Sequence, residues 1–181
     1  MTAINILLEE HKLLLKAVET ARNIQKIPDN EVYYTQIRGI ILFFRNFTEI
    51  YHHPKEDDML YPMLRNRSQV ISPEFLYEVF DNHDDFKSMI ADIEDSYLFY
   101  HYDELRNATN IYINALEKHI NKEDGIVLSI AHTLLDEKEL ETVLHEFQDH
   151  DERYGYKDDL IKDFLKIESL NEAYLIKNYE A

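Results

Sequence analysis

The sequence contains no cysteine and only three glycines and four prolines in 181 residues. Without cysteine the chain has no disulfides, no thiolate zinc site, no cysteine ligands for an iron–sulfur cluster and no cysteine nucleophile. Any bound metal must therefore be held by nitrogen and oxygen atoms. So few glycines and prolines leave few breaks, which predicts a small number of long helices and an all-α fold.

Basic residues are also scarce, since 36 Asp and Glu face 19 Lys and Arg and give a formal net charge of −17. This charge repels phosphate backbones and anionic lipid surfaces, so we expect neither nucleic acid nor a membrane as a partner. The first residues, MTAINILLEEHK, reach acidic side chains before an apolar region of signal-peptide length, and no apolar run approaches the span of a bilayer. These features predict a cytoplasmic protein.

A short pattern occurs twice in the chain, as HHPKED from His52 and as HINKED from His119. In a helix, residues four apart lie one above the other, so His52 pairs with Glu56 and His119 pairs with Glu123. One such pair is usually a solvated helix face. The duplication favours a metal site instead.

Apolar residues at helical spacing predict four long helices, and each apolar face carries a histidine near its middle. A turn at Pro28 separates the first two helices, and Ser72 followed by Pro73 starts the third. Pro54 lies inside the second helix, where its missing N–H predicts a kink or bulge. Short connections between long helices favour an up-down-up-down four-helix bundle.

The predicted metal ligands are the four inward histidines and the two glutamates of the repeated pattern: His11, His52, Glu56, His83, His119 and Glu123. Four imidazoles and two carboxylates suit a dinuclear site, and donors of this kind bind iron, manganese or zinc. The alternative is that each histidine is an ordinary core residue. The two glutamates argue against it, because an ionised carboxylate in an apolar core is expensive unless it is paired or metal-bound.

Two further side chains have more than one interpretation. His53 is about 100° around a regular helix from His52, which predicts a supporting or surface position, with substitution for His52 as the alternative. Tyr112 lies on the ligand-bearing face of the fourth helix. It is interpreted as a core tyrosine with a bonded hydroxyl, and approach to the metals is the alternative.

Asp136 and Glu139 predict the start of a shorter fifth helix that reaches about His150. We assign residues 1–150 to the main domain and residues 151–181 to an acidic, amphipathic, helical C-terminal tail. The tail has three alternatives, which are packing on the bundle, covering one end of it, or forming the contact of a homo-oligomer.

The segments HHPKEDDMLYP and HINKED, with His11 and His83 on the alternate helices, resemble the hemerythrin-like HHE cation-binding family over about residues 1–150. The resemblance implies a four-helix bundle around a carboxylate-bridged, non-haem di-iron centre. Oxygen carriers of this kind have a further histidine where this chain has Lys87, and an aspartate ligand at the position of Asp124. Asp124 is therefore the alternative to Glu123.

Lys87 has two interpretations. In the first, one metal keeps an open position and the ammonium group stabilises a bound anion. In the second, Lys87 extends out of the bundle into solvent. The reduced histidine set is similar to that of iron-centre repair proteins, although the cysteine-containing segment that many of those carry is absent.

The sequence thus predicts a protein that holds two non-haem iron ions and binds or senses a small diatomic ligand, oxygen or nitric oxide, or handles iron under stress. A di-metal oxidase or peroxide-consuming enzyme at the same centre is one alternative. An interaction module whose metal is structural is another. We favour metal binding or sensing over enzymatic activity.

Overall fold

A computed structural model of the protein describes residues 2–28, 31–65 and 82–179. The regular structure in these three ranges is helical, and no strand occurs in them. The helix start predicted at Ser72 and Pro73 lies outside them. Within the same ranges, no helix combines the length and the apolar character that a membrane crossing requires.

Helix α1 spans Ala3–Ile24 and begins at Thr2, whose side chain accepts the backbone N–H of Asn5. Helix α2 covers residues 31–65 without interruption. Its segments are the α-helical Glu31–Phe43, the π-helical Phe44–His52 and Lys55–Leu60, and the α-helical Tyr61–Arg65.

Helix α3 spans Asn82–Leu98, and residues 99–101 connect it to α4. Helix α4 covers residues 102–134. Its segments are the α-helical Tyr102–Lys122, the π-helical Glu123–Val127 and the α-helical Leu128–Leu134.

Two more helices follow the bundle. Helix α5 spans Glu137–Tyr154, and the predicted capping box is present, since Asp136 accepts the N–H of Glu139 and Glu139 accepts that of Asp136. Helix α5 extends past the predicted end near His150 to Gly155, which has a positive φ of 69°. Helix α6 spans Lys157–Tyr179.

The π-helical turns lie where the repeated pattern lies. Pro54 has no N–H and would crowd the carbonyl group of Ile50 in a regular helix. The backbone instead forms longer hydrogen-bonded turns, from the N–H of His53 to Thr48 and from the N–H of Tyr61 to Glu56. The bulge predicted at Pro54 is therefore confirmed. π-Helical turns inside α-helices are frequent at functional sites.

The core of the bundle consists of two apolar clusters with a polar layer between them. On α1, Leu7 belongs to one cluster, Leu14 belongs to the other, and His11 lies between them. On α4, Ile120 and Val127 belong to opposite clusters, with Glu123 between them. The predicted all-α bundle is confirmed, and its polar layer is where the repeated motifs meet.

Helix α6 packs along α1 and α2. Phe164 is buried and stacks on Phe43 with ring centroids 4.7 Å apart. The side-chain amide of Asn171 donates to Oε1 of Gln36 over 2.9 Å in the buried interface. Of the three alternatives for the C-terminal segment, packing on the bundle is the one that the structure shows.

Candidate metal centre

The six predicted ligand residues are all buried in the polar layer, and none exposes more than 5% of its surface. One of the six lies on α1, two lie on α2, one lies on α3 and two lie on α4. They are His11, His52, Glu56, His83, His119 and Glu123. The structure therefore brings the six predicted ligand residues together in one layer.

The donor atoms form two groups that share one carboxylate. Glu56 lies with His11 and His52 in one group, and with His53, His83 and His119 in the other. Within each group, one donor atom from every residue lies within 4.8 Å of the others. We call these the two-imidazole group and the three-imidazole group.

Both glutamates lie between the two groups. Oε1 of Glu56 is 3.5 Å from Nε2 of His11, and its Oε2 is 3.7 Å from Nε2 of His83. Glu123 presents Oε2 to Nε2 of His11 at 3.4 Å and Oε1 to Nε2 of His119 at 3.1 Å. Glu123 thus offers one oxygen to each group, as a bridging ligand would. Oε2 of Glu56 reaches both groups, because it also lies 3.6 Å from Nε2 of His52.

Four of the imidazole rings are oriented by a second set of carboxylates, each at the Nδ1 atom. The pairs are His11 with Asp124 at 2.6 Å, His52 with Glu10 at 2.9 Å, His53 with Glu49 at 3.1 Å and His83 with Asp57 at 2.9 Å. Metal-binding histidines commonly donate their outer N–H to a carboxylate, which fixes the tautomer and leaves the other nitrogen free to coordinate.

Several buried atoms at the centre of the layer have no hydrogen-bond partner. They are Nε2 of His11 and His53, both side-chain oxygens of Glu56 and Oε2 of Glu123. A buried polar atom without a partner costs about 1–3 kcal/mol, and more when it is charged. Five such atoms facing one another in a rigid core fit bound cations, because cations would satisfy all of them at once.

The pKa values of His11 and His83 are raised by the carboxylates that surround them. Burial by itself would lower the pKa of His11, but its hydrogen bond to Asp124 and the nearby Glu56 and Glu123 raise it to about 10. For His83, burial is likewise outweighed by Asp57 and by the two glutamates, and its pKa also rises to about 10. The carboxylates around both rings thus favour positive charge at the centre, as they would favour a bound cation.

His53 is the main difference from the sequence prediction. It is buried rather than at the surface, with 1% exposure, and it adds a fifth imidazole to the centre beside His52 instead of replacing it. The prediction assumed 100° between consecutive residues, which holds for a regular α-helix. In the π-helical turn that ends at His52, more residues share each turn, so His52 and His53 both reach the interior.

The structure also shows the contacts of three residues for which the sequence left alternatives, namely Asp124, Lys87 and Tyr112. Asp124 bonds to the outer nitrogen of His11, whereas Glu123 occupies the interior. Lys87 is half exposed and donates to Asp84 over 2.8 Å, as expected for the interpretation in which it extends out of the bundle into solvent. Tyr112 is a buried core tyrosine whose hydroxyl donates to Oε1 of Glu49 over 2.9 Å.

Sequence reasoning did not find the outer carboxylates Glu10 and Glu49, or the hydroxyl of Tyr61 that donates to Glu123. The only sequence signal for Glu10 is that it directly precedes His11, and its burial at 5% exposure is seen only in the structure. No sequence spacing indicates that Glu10 contacts His52, since they lie on different helices.

Comparison with known families gives one match. The hemerythrin HHE cation binding domain matches residues 2–131, which is more than half of the chain. No curated protein and no solved structure matches the chain. The matched range contains both imidazole groups and ends before α5. The chain therefore belongs to the hemerythrin HHE cation-binding domain family.

Proposed function

We propose that the protein binds two iron ions at this centre and binds a small diatomic ligand, oxygen or nitric oxide, at the ion held by fewer imidazoles. The six predicted residues and His53 would supply the ligands. The observation that carries this proposal is the unequal division of five imidazoles around Glu56, which both groups share, and Glu123, which contacts both.

The chemistry of the donors supports iron. Imidazole nitrogen and carboxylate oxygen without sulfur suit iron, and they also accept manganese or zinc. Two carboxylates shared by two cations offset a charge that the buried layer would not otherwise tolerate. The family match indicates cation binding, and the choice of iron is part of the proposal.

The two-imidazole group supports ligand binding. Even if both carboxylates bridge, the centre supplies fewer donor atoms than two octahedral ions accept. The shortfall is larger beside His11 and His52 than beside His53, His83 and His119. In one interpretation of the sequence, an open coordination position lies beside Lys87. We propose that the open position lies instead at the ion beside His11 on α1 and His52 on α2.

The residues of the chain prepare the site in three ways. The carboxylates at the Nδ1 atoms orient the rings and increase their donor strength. The two apolar clusters above and below the layer exclude bulk water. Tyr61 donates its hydroxyl to Glu123 and holds that carboxylate in place. Bound iron would supply reversible electron transfer to oxygen or coordination of nitric oxide.

The test begins with metal analysis of protein that carries no metal-binding tag and has been supplied with iron. We expect about two ions per chain. The reduced, loaded protein is then titrated with nitric oxide, and the oxidised protein with azide, while the visible spectrum is recorded. A clear spectral change with either ligand would support the open position. The control is His101→Ala, which alters an exposed histidine outside the centre.

Loaded protein that shows no spectral change with either ligand would favour a structural or storage role for the metal. Steady consumption of peroxide or of an oxidisable substrate would favour the di-metal enzyme. The cytoplasmic location and a homo-oligomer formed through α6 stay predictions.

A further inference from the structure

Lys55 is a fully buried lysine, with 0% of its surface exposed, and it lies beside the metal centre without pointing into it. Its ammonium group donates to Oε1 of Glu10 over 2.7 Å, to Oδ1 of Asp151 over 2.7 Å and to the hydroxyl of Tyr51. An ammonium group has three protons, so these three acceptors use all of them. The ring of Tyr51 also faces the ammonium group at 4.0 Å from its centroid.

Glu10 connects this lysine to the centre, because its two oxygens face different partners. Oε1 accepts from Lys55, and Oε2 lies 2.9 Å from Nδ1 of His52. His52 belongs to the two-imidazole group, so its orientation affects the ion at which we propose ligand binding. A carboxylate held at one oxygen can rotate less at the other.

The outer end of the network comes from the last two helices. Asp151 is on α5, and besides Lys55 it contacts the hydroxyl of Tyr51 at 2.6 Å. Lys157 is on α6 and donates to Oδ2 of Asp151 over 3.2 Å. These helices lie beyond residue 131, where the family match ends. Residues that are not part of the family domain thus contribute to the network that holds His52.

Burying a lysine costs free energy, and Lys55 both balances the charge of nearby carboxylates and connects three helices. Desolvating an ammonium group costs several kcal/mol unless good geometry compensates for it. The contacts of Lys55 join α1, α2 and α5 at its Nζ atom. Among the described residues, His52 is the only predicted metal ligand that is linked to Lys55 through a single carboxylate, that of Glu10.

We infer that Lys55 and Asp151 are positioning residues of the metal centre, and that through them helices α5 and α6 fix Glu10 against His52. The inference rests on the proposed iron centre. It extends that proposal by assigning to the C-terminal helices a role in how tightly the two-imidazole ion is held.

The experiment compares the full chain with the variants Lys55→Met, Asp151→Asn and Asp151→Glu. Asp149→Asn is the matched control, because Asp149 is an exposed aspartate on the same helix. Three quantities are measured: the melting temperature of the metal-free protein, the rate at which loaded protein loses iron to a chelator, and the visible spectrum of the oxidised, azide-bound protein.

We expect Lys55→Met to release the more weakly held iron faster, by up to about 10-fold. Losing the outer partner of a metal ligand costs about 10–100-fold in affinity, and Lys55 acts one contact further out, through Glu10. Asp151→Asn should increase the rate of iron loss by a smaller factor, and it should shift the spectrum of the azide-bound protein. Asp151→Glu, which keeps the charge, should restore most of the retention. Asp149→Asn should equal the wild type in all three measurements.

A lower melting temperature combined with wild-type iron release and an unchanged spectrum would overturn the inference, since Lys55 and Asp151 would then be merely structural. If Lys55→Met does not fold, Asp151→Asn decides, because its side chain is one-third exposed. Wild-type protein that retains no iron would overturn the proposed function as well, which distinguishes the two failures.

Discussion

The rings of His53 and His83 are stacked, with centroids 3.8 Å apart and planes within 8° of parallel. They come from α2 and α3, so the stack joins two helices at the level of the polar layer. Both rings belong to the three-imidazole group. This relationship makes His53 the residue whose role most clearly separates the structure from the sequence prediction.

His53→Ala should lower the iron content from about two ions per chain towards about one, because the three-imidazole group loses one donor. Metal analysis after dialysis against a weak chelator measures this. The matched control, His101→Ala, removes an exposed histidine and should keep full content. Full iron content in His53→Ala would return His53 to a supporting role.

Asp124→Asn should weaken metal binding about 10–100-fold, because the carboxylate that orients His11 and strengthens its donation loses its charge. Competition with a chelator of known affinity gives the number. Asp58→Asn changes an exposed carboxylate directly after the first copy of the repeated motif and is the control. Equal affinities for the two variants would show that the contact with His11 is incidental.

The metal-free protein should have a stability maximum at mildly acidic pH. The pKa of Glu10 is lowered from 4.5 to about 2, mainly by its bond to His52 against the effect of burial, so its contribution is present above pH 4.5 and is lost as pH falls towards 2. The pKa values of His11 and His83 are raised from 6.5 to about 10, so their contribution is complete below pH 6.5 and is lost as pH rises through 10.

Burial raises the pKa of Glu49 from 4.5 to about 7, which adds to the loss at higher pH. Metal should replace the protons on His11 and His83, and so remove their share of the alkaline loss. Melting temperatures measured from pH 4 to pH 10, with and without iron, test this. Curves of the same shape for both forms would contradict it, as would identical melting of the two forms.

Lys87→Ala should leave azide affinity unchanged, because this lysine is half exposed and bonds to the exposed Asp84. Nitric oxide affinity should be unchanged as well. A selective weakening of azide, with nitric oxide unaffected, would restore the interpretation in which the ammonium group stabilises a bound anion.

Gly39→Ala should destabilise the protein by about 1–3 kcal/mol through overpacking. A Cβ atom at this position would lie 2.3 Å from Cδ1 and 2.9 Å from Cγ1 of Ile167, so either this side chain or α6 would have to shift. Gly125→Ala is the control, since no atom lies within 4 Å of the added methyl group. Chemical denaturation of both variants gives the difference, and equal stabilities would show that Ile167 adapts at no cost.

The sequence by itself determined the helical class, the faces that carry His11, His52, His83 and His119, and the two glutamates between them. These follow from local periodicity and from a motif that occurs twice, which need no knowledge of the fold. The bulge at Pro54 also followed from local chemistry, because proline removes a specific hydrogen bond wherever it lies in a helix.

Only the tertiary structure decided the rest. His53 enters the centre because a π-helical turn changes the angle between neighbours, and sequence periodicity assumes a regular helix. The partners Glu10 and Asp151 come from other helices, so no spacing along the chain connects them to His52 and Lys55. The position of α6 depends on how its side chains fit against distant parts of the chain. Its amphipathic pattern is compatible with several positions, and side-chain packing selects one of them.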